Sequence, residues 1–167
     1  MTDLLPPAAT AVVQAGRDLG LAMDVREFPE GTRTAADAAG AIGCALDQIV
    51  KSLVFMADST PVLVLTSGAN RVDVVKVAKA TGTVMVRKAD AGEVRAATGY
   101  AIGGTPPFGH ARRLEVLVDQ HLGRFDTVWA AAGTPRHVFP IPAGELARVT
   151  GGRLADVALD PTGPDAG

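Results

Sequence analysis

A lysine stands in the middle of an apolar run that is typical of a buried β-strand. Lys51 lies within residues 49–56, and the two-residue period of a strand places apolar side chains on both of its faces. A primary ammonium in such surroundings must bond to an anionic or strongly polar partner or lose its proton, because an unpaired buried charge is costly. Lys51 is therefore the first candidate for a functional residue. The alternative is a strand-end lysine whose stem covers apolar surface and whose head reaches water.

The second candidate is a segment rich in glycine and proline, residues 99–109. Gly103 and Gly104 permit a close approach of the backbone to a ligand, and Pro106 and Pro107 stiffen the chain directly after them. N–H groups held in this way can bind a phosphate or a carbonyl oxygen, and they bind more strongly as negative charge develops there. The chain has neither a Gly-Lys-Ser/Thr nor a Gly-x-Gly-x-x-Gly signature, so a nucleotide-binding loop is not predicted. An ordinary loop is the alternative.

The remaining reactive side chains give weaker signals. Ser52 has no histidine near it, and the chain lacks a Gly-x-Ser-x-Gly elbow, so a serine nucleophile is not predicted. Cys44 is the only cysteine, which excludes an internal disulfide, and it is interpreted as a small core residue. The histidines at 110, 121 and 137 are spaced too irregularly for a zinc motif. Neither a metal nor another cofactor is expected.

Two polar residues after the glycine-proline segment have two interpretations each. His110 either contacts ribose or phosphate or is a solvated loop residue. Asp119 either orients a neighbour in a site or caps the turn that follows it, and the cap is favoured.

Length and composition restrict the class of protein. The 167 residues, 47% of them hydrophobic, predict one domain over residues 1–159 and a flexible turn-rich tail over residues 160–167. A net charge of −2 excludes a general nucleic-acid coat, and DNA is not an expected partner. Residues 71–95 carry six basic against three acidic side chains, which leaves a local RNA contact open. Since no stretch approaches the roughly 20 apolar residues that span a bilayer, we expect a soluble cytoplasmic protein without a membrane partner.

Helices and strands interleave along the chain and must position these residues. Helices are predicted at about 7–19, 34–42, 70–80, 91–98 and 143–149, with caps at Thr34, Asn70 and Asp90. The third of these helices is expected to turn Val72, Val75 and Ala78 inward. Strands are predicted at about 23–28, 49–56, 62–65, 84–87, 114–118, 127–131 and 137–141. Because hairpin-like strand pairs outnumber strand-helix-strand units, we expect an α+β fold: one mixed, mostly antiparallel sheet or small barrel surrounded by helices.

Taken together, these segments resemble the YbaK/EbsC-type aminoacyl-tRNA deacylases, which are relatives of the editing domain of bacterial prolyl-tRNA synthetases. The resemblance rests on Thr34 near an alanine-rich helix and on residues 49–53, 99–109 and 129–133. It extends from about Val25 to Val149.

The resemblance implies hydrolysis of the ester that joins a wrong amino acid to the terminal adenosine of a tRNA. The substrate implied is a small residue such as alanine or cysteine on proline tRNA, and prolyl-tRNA synthetase is a further candidate partner. In that family the lysine matching Lys51 helps to hold the aminoacyl-adenosine, and the motif matching residues 103–107 lines the aminoacyl site. Lys51, Gly103 and Gly104 are thus the expected catalytic residues. The expected substrate-binding residues are Thr34, Ser52, Thr105, Pro107, His110, Asp119 and His137.

One departure concerns the strand after the Ala-Ala-Gly element. Some family members carry an aspartate there with a role in activity, whereas residues 133–139 contain no acid and contain His137 instead. A histidine there resembles the prolyl-synthetase editing branch, where it shapes the aminoacyl pocket, and a strand-end histidine bonded to backbone is the alternative. Two other functions stay open: a non-catalytic module that binds charged tRNA ends or a synthetase, and an enzyme that forms a Schiff base through Lys51.

Overall fold

Helices and strands interleave through residues 4–28 and 34–160, which are the residues described by the computed structural model. The helices there are α1 (Pro7–Asp18), α2 (Ala35–Ile42), α3 (Val74–Thr81), α4 (Ala91–Thr98) and α5 (Ala143–Thr150). The strands there are β1 (Arg26–Glu27), β2 (Val50–Ala57), β3 (Thr60–Ser67), β4 (Val86–Lys88), β5 (Glu115–Asp119), β6 (Thr127–Ala131), β7 (His137–Pro142) and β8 (Arg153–Ala155). The predicted α+β class is confirmed.

The strands form two sheets that meet at the start of β2. The larger sheet has the order β4-β2-β3-β5-β8, in which β2 pairs antiparallel with β3 and β4, while β5 pairs parallel with β3 and β8. The smaller sheet, β1-β7-β6, is antiparallel. An isolated bridge between Ile49 and Trp129 joins the beginning of β2 to β6. This junction lies two residues before Lys51.

The predicted hairpin of β2 and β3 is confirmed, with a register that runs from Val50 opposite Ser67 to Ala57 opposite Thr60. Alternate residues of β2 contact different cores, as the period of a strand requires. Val50 and Val54 belong to the largest hydrophobic cluster, whereas Phe55 belongs to the cluster under α3. The strand that carries Lys51 is therefore covered on both faces, as predicted.

Local capping sets most helix boundaries. The Thr34 hydroxyl accepts a hydrogen bond from the Asp37 N–H at 3.0 Å, and Asp90 and Glu93 form a reciprocal capping box at the start of α4. The predicted start of α3 is wrong, because Asp73 rather than Asn70 caps it and accepts from the Val75 N–H at 2.9 Å.

The predicted inward face of α3 is wrong at Val75, which is 72% exposed, whereas Val77 is the buried residue of this helix. Val72, which precedes the helix, does pack against the same cluster as Val77.

The C-terminal part of the described chain adds little to the site. Strand β8 escaped sequence prediction, and it pairs with β5 through the short run Arg153–Ala155. The expected tail lies outside the described residues except for Asp160, whose carboxylate pairs with the Lys76 ammonium at 3.0 Å. None of the helices in the described part of the chain is long and apolar enough to cross a membrane.

Candidate functional site

A cavity of about 300 Å³ lies where α2, β2 and β6 meet the loops that follow α4 and β6, and we call it the site cavity. Most of its lining is apolar. The structure brings five of the predicted site residues together on its wall: Lys51, Gly103, Thr34, Ser52 and Thr105. Strand β2 supplies two of them, the loop after α4 supplies two, and the cap of α2 supplies Thr34. Segments far apart in sequence therefore converge on one small volume.

Lys51 extends its ammonium to a backbone carbonyl. Its Nζ donates to the Asn70 carbonyl oxygen at 2.6 Å, and no ion pair joins it to a carboxylate within the described residues. Burial lowers the pKa of Lys51, and the nearby positive charges of Lys88 and Arg71 lower that pKa further, while Asp119 acts in the opposite direction. The ammonium thus keeps donor capacity for a ligand and lies in a region of positive potential.

Asp119 bonds to the side chain of Asn70, the residue whose carbonyl oxygen accepts from Lys51. Its carboxylate is buried, and its Oδ2 atom accepts from the Thr66 hydroxyl at 3.1 Å, the Ser67 N–H at 3.1 Å and the Asn70 side chain at 2.9 Å. Its Oδ1 atom caps the 3-10 helix Gln120–Arg124 through the His121 N–H at 3.0 Å, which confirms the predicted cap. Asp119 does not line the site cavity. Its contribution to the site is indirect: it fixes Asn70, and the Asn70 carbonyl oxygen accepts from Lys51.

The two glycines of the predicted catalytic loop differ in what they can do. Gly103 lines the site cavity with φ +90°, and its N–H makes no hydrogen bond to any residue of the described ranges. Gly104 does not line the cavity, and its N–H already donates to the Ala101 carbonyl at 3.1 Å. The expectation that both amides face a substrate is therefore corrected for Gly104, whereas Gly103 belongs to the cavity wall.

Gly104 has a packing role instead. A Cβ at this position would lie 2.8 Å from both the Gly133 carbonyl oxygen and the Thr134 Cα, which is closer than real Cβ contacts allow. The missing side chain thus lets the loop after α4 press against the loop after β6.

Four hydroxyl-bearing residues line the cavity, Thr34, Ser52, Thr105 and Thr134, and their hydroxyls differ in their hydrogen-bond partners. Thr34 Oγ1 serves as the helix cap, and Thr105 Oγ1 donates to the Ala101 carbonyl at 3.1 Å. Ser52 Oγ is buried and has no hydrogen-bond partner within the described part of the chain. A buried hydroxyl without a partner is costly.

His137 lies one layer behind the cavity. Its side chain is 5% exposed, and its ring bonds to the Thr134 Oγ1 atom through Nδ1 at 2.5 Å and to a Glu27 carboxylate oxygen through Nε2 at 3.0 Å. Thr134 lines the cavity, whereas His137 does not. The alternative of a strand-end histidine bonded to backbone is wrong, since both ring partners are side chains. Thr134 itself was missed, because a threonine in a turn gives no distinctive sequence signal.

Pro107 and His110 lie elsewhere. They line a second cavity of about 620 Å³ together with Arg112, Arg113 and Arg153, which we call the arginine cavity and which shares no lining residue with the site cavity. The His110 ring bonds to the Pro106 carbonyl oxygen at 2.7 Å, and burial lowers its pKa. His110 thus does not line the site cavity, and its half-buried ring is bonded to the chain rather than free in a solvated loop, while a contact with ribose or phosphate stays a prediction.

Two further groups bear on the chemistry. Cys44 is half-buried against the cluster formed by Ala38, Ala39 and Ile49, and burial raises the pKa of its thiol. Lys88, which sequence reasoning did not single out, reaches the site cavity because β4 pairs with β2. Over the described ranges, no group of three or more His, Cys, Asp or Glu side chains could hold a metal ion.

Comparison with known proteins agrees with this geometry. The family model described as "Aminoacyl-tRNA editing domain" matches residues 29–149. "Uncharacterized protein YwhH" of Bacillus subtilis (strain 168) is 34% identical over 139 residues, which cover 82% of this chain and 88% of YwhH. "Putative Cys-tRNA(Pro)/Cys-tRNA(Cys) deacylase EbsC" of Enterococcus faecalis (strain ATCC 700802 / V583) is 25% identical over 131 residues, or 78% of this chain and 80% of EbsC.

A solved structure supports the same assignment. "Crystal structure of a putative trans-editing enzyme for prolyl tRNA synthetase" superposes with a TM-score of 0.89 at 42% identity, and the match covers 94% of this chain and 100% of that one. Fold, cavity and family match together define an editing domain of translation. The chain belongs to the aminoacyl-tRNA editing domain family and, within it, to the deacylases of the YbaK/EbsC type, which are ester hydrolases.

Proposed function

We propose that this protein removes a small amino acid, such as alanine or cysteine, from mischarged proline tRNA. One observation carries the proposal: Lys51 and Gly103 belong to the wall of the same small cavity, although 52 positions separate them in the sequence. Both are donors, and both can act on an ester carbonyl or on the terminal phosphate. Lys88 and Arg71 add positive charge near Lys51, which suits the polyanionic acceptor end of a tRNA.

The size and lining of the site cavity support a small, apolar aminoacyl group. Its volume is about 300 Å³, and Ala38, Ala130 and Val138 lie on its wall. A synthetase separates small apolar residues that differ by a methylene by only about 1 to 3 kcal/mol, so a second site that admits the smaller error improves accuracy.

The reaction needs no protein nucleophile. Water attacks the ester carbonyl carbon, the bond from that carbon to the ribose oxygen breaks, and the ribose oxygen takes up the proton. In this proposal the Gly103 N–H and the Lys51 ammonium stabilise the oxyanion formed on attack, and the neighbouring ribose hydroxyl of the substrate positions the water.

The state of the other candidate nucleophiles supports this route. Ser52 Oγ has no basic partner in the described chain, and Cys44 is not a lining residue of the site cavity. Both nitrogens of His137 are already bonded to side chains. Ser52 and Cys44 therefore lack the basic partner that an activated nucleophile requires, whereas the Thr134 hydroxyl has one in His137.

The lowered pKa of Lys51 gives weight to one other chemistry, a Schiff base between its amine and a carbonyl substrate. That alternative needs the neutral amine, whereas electrostatic stabilisation of the ester needs the ammonium. The two chemistries therefore require different protonation states of Lys51, and one experiment can distinguish them.

The experiment is a deacylation panel on proline tRNA charged separately with alanine, cysteine, serine and proline. We expect the wild type and Lys79→Ala, which removes an exposed lysine of α3, to hydrolyse the alanyl or cysteinyl ester far faster than the prolyl ester. Lys51→Ala should lose at least about 100-fold in kcat/KM. Binding with hydrolysis only at the spontaneous rate would identify a binding module instead. A borohydride-trapped adduct at Lys51 would identify the Schiff-base enzyme.

A further inference from the structure

A chain of three side chains leads from the protein surface to the wall of the site cavity. Glu27 on β1 lies opposite His137 on β7, and one of its carboxylate oxygens lies 3.0 Å from His137 Nε2. His137 Nδ1 lies 2.5 Å from Thr134 Oγ1, and Thr134 lines the cavity. The Arg136 N–H also donates to Thr134 Oγ1, at 3.1 Å.

This chain fixes the direction of the Thr134 hydroxyl. An ionised carboxylate can only accept, so Glu27 requires the proton of a neutral imidazole to be on Nε2, and Nδ1 must then accept. The Thr134 hydroxyl consequently donates its proton to His137 Nδ1, while one oxygen lone pair accepts from the Arg136 N–H. The remaining lone pair leaves Thr134 able to act toward the cavity as an acceptor only.

The rest of the cavity wall makes an acceptor valuable. Among the described residues that line it there is no aspartate or glutamate, and its charged groups are the lysines Lys51 and Lys88. An aminoacyl ester brings an α-ammonium group, which carries donors and no acceptor. Of the threonine hydroxyls on the wall, Thr34 Oγ1 is engaged as a cap, whereas Thr105 Oγ1 donates to the Ala101 carbonyl and Thr134 Oγ1 donates to His137, so each of these two oxygens can only accept a further hydrogen bond.

We propose that Thr134 binds the α-ammonium of the aminoacyl ester and that His137, backed by Glu27, is a positioning residue that keeps the threonine oxygen in its accepting state. The inference rests on the proposed function and adds to it the group by which the cavity distinguishes an aminoacyl ester from other acyl esters.

Close packing keeps Thr134 in place. Gly133 has φ +96°, and a Cβ on it would lie 2.6 Å from the Ala8 carbonyl oxygen of α1. On the other side, Gly104 lies so near that its own Cβ would meet the Thr134 Cα at 2.8 Å. The turn is therefore held between α1 and the loop after α4, and the hydroxyl keeps its position without help from a ligand.

The test compares two esters of the same tRNA: alanyl-tRNA and propionyl-tRNA, which has the same methyl group but no α-ammonium. Thr134→Val should lower kcat/KM for the alanyl ester by about 10-fold to 100-fold and for the propionyl ester by less than about 3-fold. Thr134→Ser, which keeps the oxygen, should restore alanyl hydrolysis to within about 3-fold of wild type. His137→Ala should show the same selective loss, mainly in KM. Thr81→Val, the same substitution on α3, should change neither ester.

Three results would overturn the inference. Equal losses on both esters in Thr134→Val would assign the threonine a structural role only. Nitrogen-15 NMR of His137 should show the neutral form protonated on Nε2, and an imidazolium or an Nδ1-protonated ring at the assay pH would contradict the acceptor state. Failure of the wild type to hydrolyse alanyl-tRNA would contradict the proposed function and this inference with it. Hydrolysis by the wild type, together with equal losses on the two esters in Thr134→Val, would contradict this inference alone.

Discussion

The loop after α4 contributes to two cavities, and a comparison of the two shows which features distinguish a candidate functional site from another cavity of the surface. Gly103 and Thr105 line the site cavity, whereas Pro107 and His110, only a few residues later, line the arginine cavity. The larger volume belongs to the arginine cavity, about 620 Å³ against about 300 Å³.

The two cavities differ in whether their buried side-chain polar atoms have partners. In the arginine cavity, His110 bonds to the Pro106 carbonyl and Arg153 bonds to both Glu115, at 3.0 Å, and the Ala80 carbonyl, while Arg112 and Arg113 are exposed. In the site cavity, the buried Ser52 hydroxyl has no partner among the described residues, and the exposed Gly103 makes no hydrogen bond to them through its N–H. Leaving a buried hydroxyl unbonded costs stability. That hydroxyl, rather than volume, distinguishes the site cavity.

The largest expected contrast comes from removing one cation at each cavity. Lys51→Met should lower deacylation by at least about 100-fold, because the ammonium acts on the ester or its phosphate. Its free energy of unfolding should stay equal or rise, since burial penalises the ammonium and lowers its pKa in the folded state. Arg113→Met should change deacylation by less than about two-fold. Rates of hydrolysis and urea unfolding of the three proteins measure both effects, and a comparable loss of activity in Arg113→Met would erase the distinction.

A smaller contrast separates two glycines of left-handed conformation. Gly103 and Gly99 have φ of +90° and +83°, and the nearest atoms to an added Cβ are 3.7 and 3.5 Å away. Alanine at either position should therefore cost a similar roughly 1 to 2 kcal/mol of stability. Only Gly103→Ala should also lower deacylation, by about 10-fold, because the proposed function assigns the Gly103 amide to the substrate. Thermal unfolding with kinetics below the transition tests the pair, and equal activities would argue against the amide.

A third contrast concerns two buried serines of the same hairpin. Ser52 Oγ has no partner in the described residues, whereas Ser67 Oγ donates to the Asp47 carbonyl at 2.8 Å. Ser52→Ala should thus stabilise the protein by up to about 1 kcal/mol, and Ser67→Ala should destabilise it by about 1 kcal/mol. Denaturant unfolding decides the signs, and destabilisation by Ser52→Ala would show that the hydroxyl is bonded in the folded protein.

Sequence reasoning succeeded where the deciding interactions are local. Thr34 and Asp90 bond to N–H groups three residues away, so their caps could be predicted from spacing alone. The hairpin of β2 and β3 follows from a turn sequence between two apolar runs. The convergence of Lys51 and Gly103 was expected from family resemblance rather than from spacing, because it depends on the Ile49–Trp129 junction of the two sheets.

It failed where distant residues compete for the same groups. Asn70 and Asp73 are both good caps, but the Asn70 side chain donates to Asp119 and its carbonyl accepts from Lys51, which leaves the capping of α3 to Asp73. The role of Thr134 depends on a histidine and on a glutamate 107 positions earlier in the chain. No pattern within a turn could reveal such a partner.

The smallest expected effect lies in the arginine cavity and concerns pH. Burial lowers the pKa of His110 from its ordinary 6.5, although the bond to the Pro106 carbonyl acts against that shift. Between the lowered pKa and 6.5 the unfolded chain binds more protons at His110 than the folded chain does, so this residue makes stability fall as pH falls through that window.

His110→Gln should reduce that slope by no more than about 1.4 kcal/mol per pH unit, which is the limit for one proton. Urea unfolding from about pH 8 to about pH 5 measures the slope, while deacylation at fixed pH should change by less than about two-fold. An unchanged slope would mean that the histidine titrates alike in both states, and a large loss of activity would extend the site into the arginine cavity.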